Sequence, residues 1–334
     1  MRRLVWLVLL AALMWSGWWF FAATSLQRGI GQWFMDREQE GWQAEAVDVT
    51  VSGYPFRLEA LIDRPALADP DTGVAIEASR LDISAPAWWP GFVTMTLPSD
   101  DILLATPRER LTLRTSDATA DLRLKPGPDL VLEQMVLSSG PWSLSGQDGS
   151  LWQATGLSID LIQDDMTPEQ YHFRVNAPAF QPGSIPRRSL RIPSDWPVAF
   201  DSLTLDISVA FDRVLDRSVV EVARAQPRRI EMRVAEAHWG SLLMRANAEL
   251  DVSEMGLLSG EFSLQARNWR QMLSIAEASG SLPTALRPQL ENILAALARG
   301  SGSPESIDVT LSLQDGAIAL GFIPLGRIPP LVIP

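Results

Sequence analysis

Residues 203–211 read LTLDISVAF, the longest stretch of the chain in which apolar side chains occupy every second position. Successive side chains of a β-strand point to opposite faces, so this stretch predicts a half-buried strand with one apolar face. That face is formed by Leu203, Leu205, Ile207, Val209 and Phe211. Val198 and Phe200 have the opposite parity, which predicts a β-bulge near residues 201–202.

Shorter alternating runs of the same kind begin at Val47 and recur through the chain. They are separated by segments typical of tight turns, namely Asp71-Thr72-Gly73, Lys125-Pro126-Gly127, Gln147-Asp148-Gly149 and Gln314-Asp315-Gly316. Many strands joined by tight turns favour antiparallel pairing over βαβ units. The sequence therefore predicts a mainly β domain over residues 47–334, as an elongated, curved antiparallel sheet or an open sandwich.

Two segments with helical spacing interrupt the strand pattern, at residues 268–278 and 284–299. The sequence Gly-Ser-Leu-Pro separates them, so a helical hairpin is predicted over residues 268–299. Residues 178–197 hold five prolines and form either a linker between two β-rich halves or a long loop. Strand character resumes on both sides without a change of composition, which favours the loop. Whether there are one or two β subdomains stays open.

The N terminus has the pattern of a membrane anchor. Arg2 and Arg3 precede residues 4–23, a run of 20 residues without a charged side chain. As a helix this run spans roughly 30 Å, the thickness of the hydrocarbon core of a bilayer. A signal peptide that is removed after export is the alternative, although its apolar region is usually only about 7–15 residues long.

The two arginines predict that the helix leaves its N-terminal end in the cytoplasm, because positive charge is retained there. Near the far end lie three indole rings, a residue type that favours the membrane interface: Trp15, Trp18 and Trp19. The sequence predicts a cytoplasmic stub over residues 1–3, a transmembrane anchor over 4–24 and a juxtamembrane helix over 25–46. The last of these carries one apolar stripe, formed by Leu26, Ile30, Trp33 and Phe34, that would lie on the membrane or on the domain. A direct continuation of the anchor helix as a stalk is the alternative.

Composition excludes several classes of function. The formal net charge of −12 argues against a basic surface for nucleic acid, so no nucleic-acid partner is expected. The chain has no cysteine, which excludes disulfides, thiolate nucleophiles and Cys-ligated metal sites. No cofactor and no metal ion are predicted.

The sequence contains no residue set that identifies an enzyme. It lacks a phosphate-binding P-loop, a dinucleotide-binding glycine motif and a nucleophile elbow. His172 and His238 lie in separate strand-like segments without a companion motif, which favours structural roles. Asp164 and Asp165 precede a Met-Thr-Pro sequence and are interpreted as a solvated turn. Two arginine pairs are interpreted as surface charge, with a phosphate or headgroup site as the alternative: Arg187-Arg188 and Arg228-Arg229.

Three aromatic or apolar segments are interpreted as architectural. Residues 52–57 join two strand-like runs through a motif of Gly53, Tyr54, Pro55 and Phe56, whose aromatic rings are expected to grip the bend. Residues 85–91 form an aromatic turn in which packing of Trp88 and Trp89 is favoured over a ligand-binding role. Residues 320–326 are expected to be buried at the end of the chain.

These segments occur in an order that resembles an alphaproteobacterial family of membrane-anchored envelope proteins of unknown function. The order is the anchor, the Gly-Tyr-Pro-Phe-Arg turn, Trp88-Trp89-Pro90, His238-Trp239-Gly240, Asn268-Trp269, and the closing pair from Asp315-Gly316 to Leu325-Gly326. More distantly, an anchor followed by short amphipathic strands is similar to AsmA-like envelope proteins, which are linked to lipid movement. The resemblance implies a β-rich exported domain and supplies no catalytic residues.

Together these features predict a single-pass protein of the bacterial inner membrane whose C-terminal domain lies in the periplasm. Its partners are expected to be the membrane itself and either phospholipid or other envelope proteins. A lipid-binding apolar face formed by residues 203–211 is one hypothesis, because a one-sided sheet must cover that face. A scaffold without a ligand is the alternative, and an enzyme is the least favoured class.

Overall fold

The structure is a computed structural model that describes residues 1–192, 194, 196–221, 224–280, 282–300 and 303–333. Sequence features that fall on Pro193, Ser281, Ser301, Gly302 and Pro334 lie outside the described residues. The described residues form five helices: α1 (Arg2–Gln39), α2 (Ser184–Ser189), α3 (Arg217–Glu221), α4 (Trp269–Ala278) and α5 (Arg287–Gly300).

The remaining elements are 23 strands that pair antiparallel. In chain order they are β1 (Gln43–Glu45), β2 (Asp48–Ser52), β3 (Arg57–Asp63), β4 (Ala66–Asp69), β5 (Val74–Glu77), β6 (Arg80–Pro86), β7 (Phe92–Thr96), β8 (Ile102–Ala105), β9 (Arg110–Thr115), β10 (Thr119–Leu124), β11 (Leu132–Ser139), β12 (Trp142–Gly146), β13 (Gly149–Ala154), β14 (Leu157–Gln163), β15 (Gln170–Asn176), β16 (Gln181–Pro182), β17 (Ser202–Phe211), β18 (Pro227–Trp239), β19 (Leu242–Val252), β20 (Leu258–Arg267), β21 (Ser306–Gln314), β22 (Ala317–Leu320) and β23 (Ile323–Arg327). The predicted fold class, mainly β with antiparallel sheets, few helices and an N-terminal apolar helix, is confirmed.

The chain divides into two units. The first comprises Met1–Pro126 and Leu137–Gly140. Its strands pair in the orders β2-β3-β6-β7-β10 and β1-β4-β5-β8-β9. Near the end of α1, Phe34 packs with Ala44 of β1 and Ile62 of β3, and all three side chains are buried. The second half of the N-terminal helix is therefore part of the core of this unit.

The second unit comprises Gly127–Val136 and Pro141–Pro334. Its larger sheet has the strand order β14-β15-β17-β18-β19-β20-β21-β22-β23, and β12, β13 and β16 pair in a smaller one. Helices α4 and α5 form the predicted hairpin and pack on the larger sheet, where Trp269 is completely buried. The proline-rich residues 178–197 lie inside this unit and contain β16 and α2, so they do not separate the two units.

The N-terminal helix differs from the predicted one at its end. It runs without interruption to Gln39, and Gly41 follows with a φ of +93°, a conformation that favours glycine. The predicted juxtamembrane helix over residues 25–46 is therefore wrong beyond residue 39, because residues 43–45 already form β1.

Two details of the strands also differ from the expectations. The bulge expected near residues 201–202 is wrong, since the pairing of β17 with β18 shifts between Asp206 and Ile207 and between Ala210 and Phe211. The expected burial of residues 320–326 is wrong for residues 321–326. Strand β23 lies at the edge of its sheet and its residues are exposed, whereas Leu320 of β22 is half-buried against the cluster that includes Trp269.

Candidate functional site

The predicted apolar face of β17 continues across the larger sheet of the second unit. Leu205 pairs with Val175 of β15 and Ala235 of β18, and the same lateral row continues through Ala246, Leu264 and Val309. The next row runs through Phe173, Ile207, Met232, Ala248, Phe262 and Leu311. The cross-strand neighbours on this face are all apolar, so six strands present a continuous apolar surface.

The other predicted residues of β17 extend this surface. Leu203 pairs with Ala237, Val209 pairs with Tyr171 and Ile230, and the Phe211 ring lies 6.1 Å from that of Tyr171. The structure therefore brings together Leu203, Leu205, Ile207, Val209 and Phe211 with the apolar side chains of neighbouring strands. A shift in β18 at residues 233–234 keeps Met232 and Ala235 on the same face, which the sequence pattern of β17 alone did not reveal.

The opposite face of the sheet is polar. Arg245 pairs there with Glu236 and Gln265, and its guanidinium lies 2.6 Å from the Glu236 carboxylate. The neighbouring pairs are of the same kind: Asn247 with Ser263, Glu249 with Glu231 and Glu261, and Gln265 with Asp308. The sheet is thus one-sided, with a solvated face and a face that requires cover.

The apolar face is covered at its two ends, and between them most of its residues are half-buried, whereas Ala248 and Val309 of the two rows are buried. At one end, Ala266 and Ile307 are buried beneath α4 and α5 by Trp269, Leu273 and Leu294. At the other end, Leu250 and Leu313 are buried in a cluster that also includes Val252 and Leu258. The half-buried residues between these clusters form what we call the central strip: Phe173, Val175, Leu205, Ile207, Met232, Ala235, Ala246, Phe262, Leu264 and Leu311.

The central strip has the dimensions of an extended hydrocarbon chain. It crosses six strands, and five spacings of about 4.8 Å give a length of about 24 Å. One leaflet of a bilayer contributes about 15 Å of hydrocarbon, half of a core of about 30 Å. The strip is therefore longer than the hydrocarbon of one leaflet is thick.

A second group of side chains lies on the polar face of the same sheet. His172 Nδ1 is 2.6 Å from Ser208 Oγ, and His172 Nε2 is 3.3 Å from Asp164 Oδ2. Asp164 also accepts hydrogen bonds from the backbone N–H groups of Thr167 and Met166. These two bonds, followed by the contact with His172, hold the pKa of Asp164 below its ordinary value.

Asp164, His172 and Ser208 are connected in the same order as the side chains of a serine hydrolase triad, but the burial of the serine indicates a structural role. Ser208 lies in the middle of β17 between β15 and β18 and is only 1% exposed, so a substrate carbonyl has no path to its hydroxyl. The group ties the turn after β14 to the centre of the sheet. The sequence predicts the Asp164 turn but not this contact, because the pairing of His172 with Ser208 depends on strand register.

The other charged residues singled out in the sequence also bind protein groups. His238 Nδ1 lies 3.8 Å from the Asp201 carboxylate. The arginine pairs donate hydrogen bonds to nearby oxygens: Arg187 to Pro197, Arg188 to Asp148, Arg228 to Ser253, and Arg229 to Glu231 and Asp251.

The architectural motif at residues 53–56 forms the turn between β2 and β3 in the first unit. Gly53 has a φ of +97°, and the ring of Phe56 in this motif is 64% exposed. Trp88 is 62% exposed, so its expected packing is wrong, whereas Trp89 is 39% exposed and its ring lies 6.3 Å from that of Phe92. The two turns that carry these rings accept hydrogen bonds from α1 at the carbonyl oxygens of Pro55 and Ala87. Helix α1 is long and apolar enough to cross a membrane, although a signal sequence near the N terminus has the same properties.

The fold and these features define a β-rich protein with a candidate membrane anchor at its N terminus. The chain belongs to the bacterial family described as "Uncharacterized protein conserved in bacteria (DUF2125)", whose sequence profile matches residues 19–329. This match confirms the resemblance to a bacterial family of unknown function, whereas the alphaproteobacterial assignment and the AsmA likeness stay predictions. A comparison with curated proteins gives no significant match.

Proposed function

We propose that this protein is anchored in the bacterial inner membrane by α1, faces the periplasm and binds lipid acyl chains on the central strip without catalysing a reaction. The observation that carries the proposal is the half-burial of ten apolar side chains on six strands, between two clusters of buried side chains. A core closed by its own side chains buries most of its apolar residues, so this half-burial supports an apolar occupant on the strip.

The chemistry of the strip fits a hydrocarbon chain. Its side chains are aliphatic or aromatic, so binding would follow from the removal of apolar surface from water. Each buried methylene contributes about 0.8 kcal/mol, and about ten methylenes would contribute about 8 kcal/mol before the cost of ordering the chain. Affinity of this kind needs no specific headgroup site.

The anchor supports the same function. Arg2 and Arg3 precede the apolar part of α1, which favours a cytoplasmic N terminus and a periplasmic remainder. Alkaline phosphatase fused to the C terminus should then be active, and a fluorescent protein that folds only in the cytoplasm should stay dark at the same position. An inactive phosphatase fusion together with a fluorescent protein fusion that does fluoresce would show that the C terminus lies in the cytoplasm.

Lipid binding is testable with a phosphatidylcholine that carries a photoactivatable diazirine in its acyl chain. The full-length protein is reconstituted with this lipid, irradiated and digested, and the crosslinked peptides are identified by mass spectrometry. We expect crosslinks in α1, which contacts the bilayer, and also in β17 and β20. Crosslinks restricted to α1 would reject the carrier function and favour the scaffold alternative.

A matched pair of variants on β19 distinguishes the strip from the rest of the sheet. Ala246 is half-buried in the strip, and its neighbour Asn247 is exposed on the polar face. Ala246→Trp fills the strip with an indole ring while keeping it apolar, so crosslinking to β17 and β20 should be lost. Asn247→Trp adds the same ring on the other face and should leave crosslinking unchanged. Melting curves of both variants separate loss of binding from loss of fold.

A further inference from the structure

Two turns of the first unit are bound to the middle of α1. The Trp15 indole donates a hydrogen bond of 2.9 Å to the carbonyl oxygen of Pro55, and Ser16 Oγ lies 2.8 Å from the Tyr54 hydroxyl. The Trp19 indole donates one of 2.7 Å to the carbonyl oxygen of Arg57. These contacts fix the β2–β3 turn against residues 15–19 of the helix.

The turn after β6 lies at the same level of the helix. The Trp18 indole lies within 3.5 Å of the carbonyl oxygen of Ala87, and buried Ala87 shares a cluster with Trp19, Ala23 and Leu58. Both turns therefore connect strands at the end of the sheet that meets α1.

Four aromatic side chains of these turns are exposed. We call this group the aromatic seat, formed by Tyr54, Phe56, Trp88 and Trp89, which are 52%, 64%, 62% and 39% exposed. The Tyr54 ring stacks on Phe20 of the helix at 5.9 Å, and Phe20 is itself 60% exposed. A cluster of exposed rings costs free energy in water and indicates a surface made for an apolar or interfacial environment.

The geometry of α1 determines what that environment is. Residues 4–14 precede the first contact with the seat, and 11 residues at about 1.5 Å each cover only about 17 Å. The hydrocarbon core is about 30 Å thick, so a spanning helix needs about 20 residues and must bring residues 15–23 into the outer leaflet. The seat is attached to those residues and must enter the leaflet with them.

We propose that the aromatic seat is inserted into the periplasmic leaflet of the membrane that α1 spans, so that the first unit is seated in the lipid rather than held above it on a stalk. Tyrosine and tryptophan favour the headgroup level, which matches the residue types of the two turns. The inference rests on the proposed membrane anchorage and is independent of lipid binding by the central strip.

The absence of cysteine from the sequence allows a direct test by single-cysteine labelling. Phe56→Cys and Trp88→Cys report on the two turns of the seat, and both side chains are exposed enough to be replaced without loss of fold. Ser99→Cys is the control, because Ser99 is exposed and follows the opposite end of β7 from the seat. Trp6→Cys, in the exposed apolar part of α1, reports whether the helix itself is inserted.

Each full-length variant carries an environment-sensitive fluorophore and is reconstituted into vesicles of phosphatidylethanolamine and phosphatidylglycerol. Labels at residues 56 and 88 should be quenched by nitroxide lipids with a shallow acyl label and quenched several-fold less by aqueous iodide than the label at residue 99. One outcome is that the label at residue 6 lies in lipid while the labels at residues 56 and 88 are as accessible to iodide as the label at residue 99. That result would contradict insertion of the aromatic seat but would support membrane anchorage by α1. If the label at residue 6 is also in water, the anchorage and the seat both fail.

Discussion

The backbone N–H of Arg57 donates a hydrogen bond of 2.9 Å to the carbonyl oxygen of Gly53, which closes the turn between β2 and β3. A methyl group added to Gly53 would lie 2.8 Å from the carbonyl oxygen of Arg57, closer than carbon and oxygen normally approach. The turn therefore depends on glycine twice, for its positive φ and for this close approach.

Gly53→Ala should lower the free energy of unfolding by more than about 1 kcal/mol, because both the conformation and the contact become strained. Phe56→Ala in the same turn should change it by no more than about 0.5 kcal/mol, since the ring is exposed. Denaturant titration of the full-length protein in detergent compares the two. Equal losses for both variants would contradict the geometry of the turn.

The case of Phe56 shows what the sequence could and could not predict. The alternation that gave β17 and the helical spacing that gave α4 and α5 are local, and each element formed where its period was clearest. Whether an aromatic ring in a turn is buried depends on what packs against it in three dimensions, and the rings of Phe56 and Trp88 are exposed although their turns contact α1.

The candidate site likewise has a part that was predictable from the sequence and a part that was not. The residues of the apolar face on β17 were predictable, because parity alone assigns them to one side. The central strip required the register of β15, β18, β19, β20 and β21, which no local pattern encodes. The contact of His172 with Ser208 likewise depends on pairing between residues 36 positions apart.

Trp19→Phe tests the attachment of the first unit to α1. Trp19 is 4% exposed, and its N–H is bonded to the carbonyl oxygen of Arg57. Phenylalanine keeps most of the apolar contact but loses this partly buried hydrogen bond, so the free energy of unfolding should fall by about 1 kcal/mol. Trp6→Phe, at a residue that is 70% exposed, is the control and should be close to neutral. A neutral Trp19→Phe would mean that the contact contributes nothing to stability.

Trp269→Ala tests the cover that the helical hairpin gives to the apolar face. The residue is completely buried against Ala266, Ile307 and the two helices, and its indole lies 3.2 Å from the carbonyl oxygen of Pro304. Truncation of such a side chain costs about 3–5 kcal/mol, and the melting temperature of the second unit should fall accordingly. The same truncation at exposed Trp88 should leave it almost unchanged; similar shifts for both would show that the hairpin is not packed on the sheet.

Asp164 gives the protein a defined response to acid. Hydrogen bonds from the backbone N–H groups of Thr167 and Met166, with the contact to His172, lower the pKa of Asp164 from its ordinary value of 3.8 in the folded state. A carboxyl group whose pKa is lowered by folding stabilises the protein above its unfolded pKa. That stabilisation is lost as the pH falls from about 5 through the lowered value, because the unfolded chain then binds more protons.

Asp164→Asn should therefore flatten the decrease in unfolding free energy below about pH 5, since asparagine keeps an acceptor oxygen but does not titrate. The measurement is denaturant unfolding of the wild type and the variant between neutral and acidic pH. Asp165→Asn is the matched control, because Asp165 is the exposed neighbour in the same turn. If the unfolding free energies of the Asp164 and Asp165 variants depended on pH in the same way, Asp164 would not be the carboxyl group that the turn and His172 hold in its charged form.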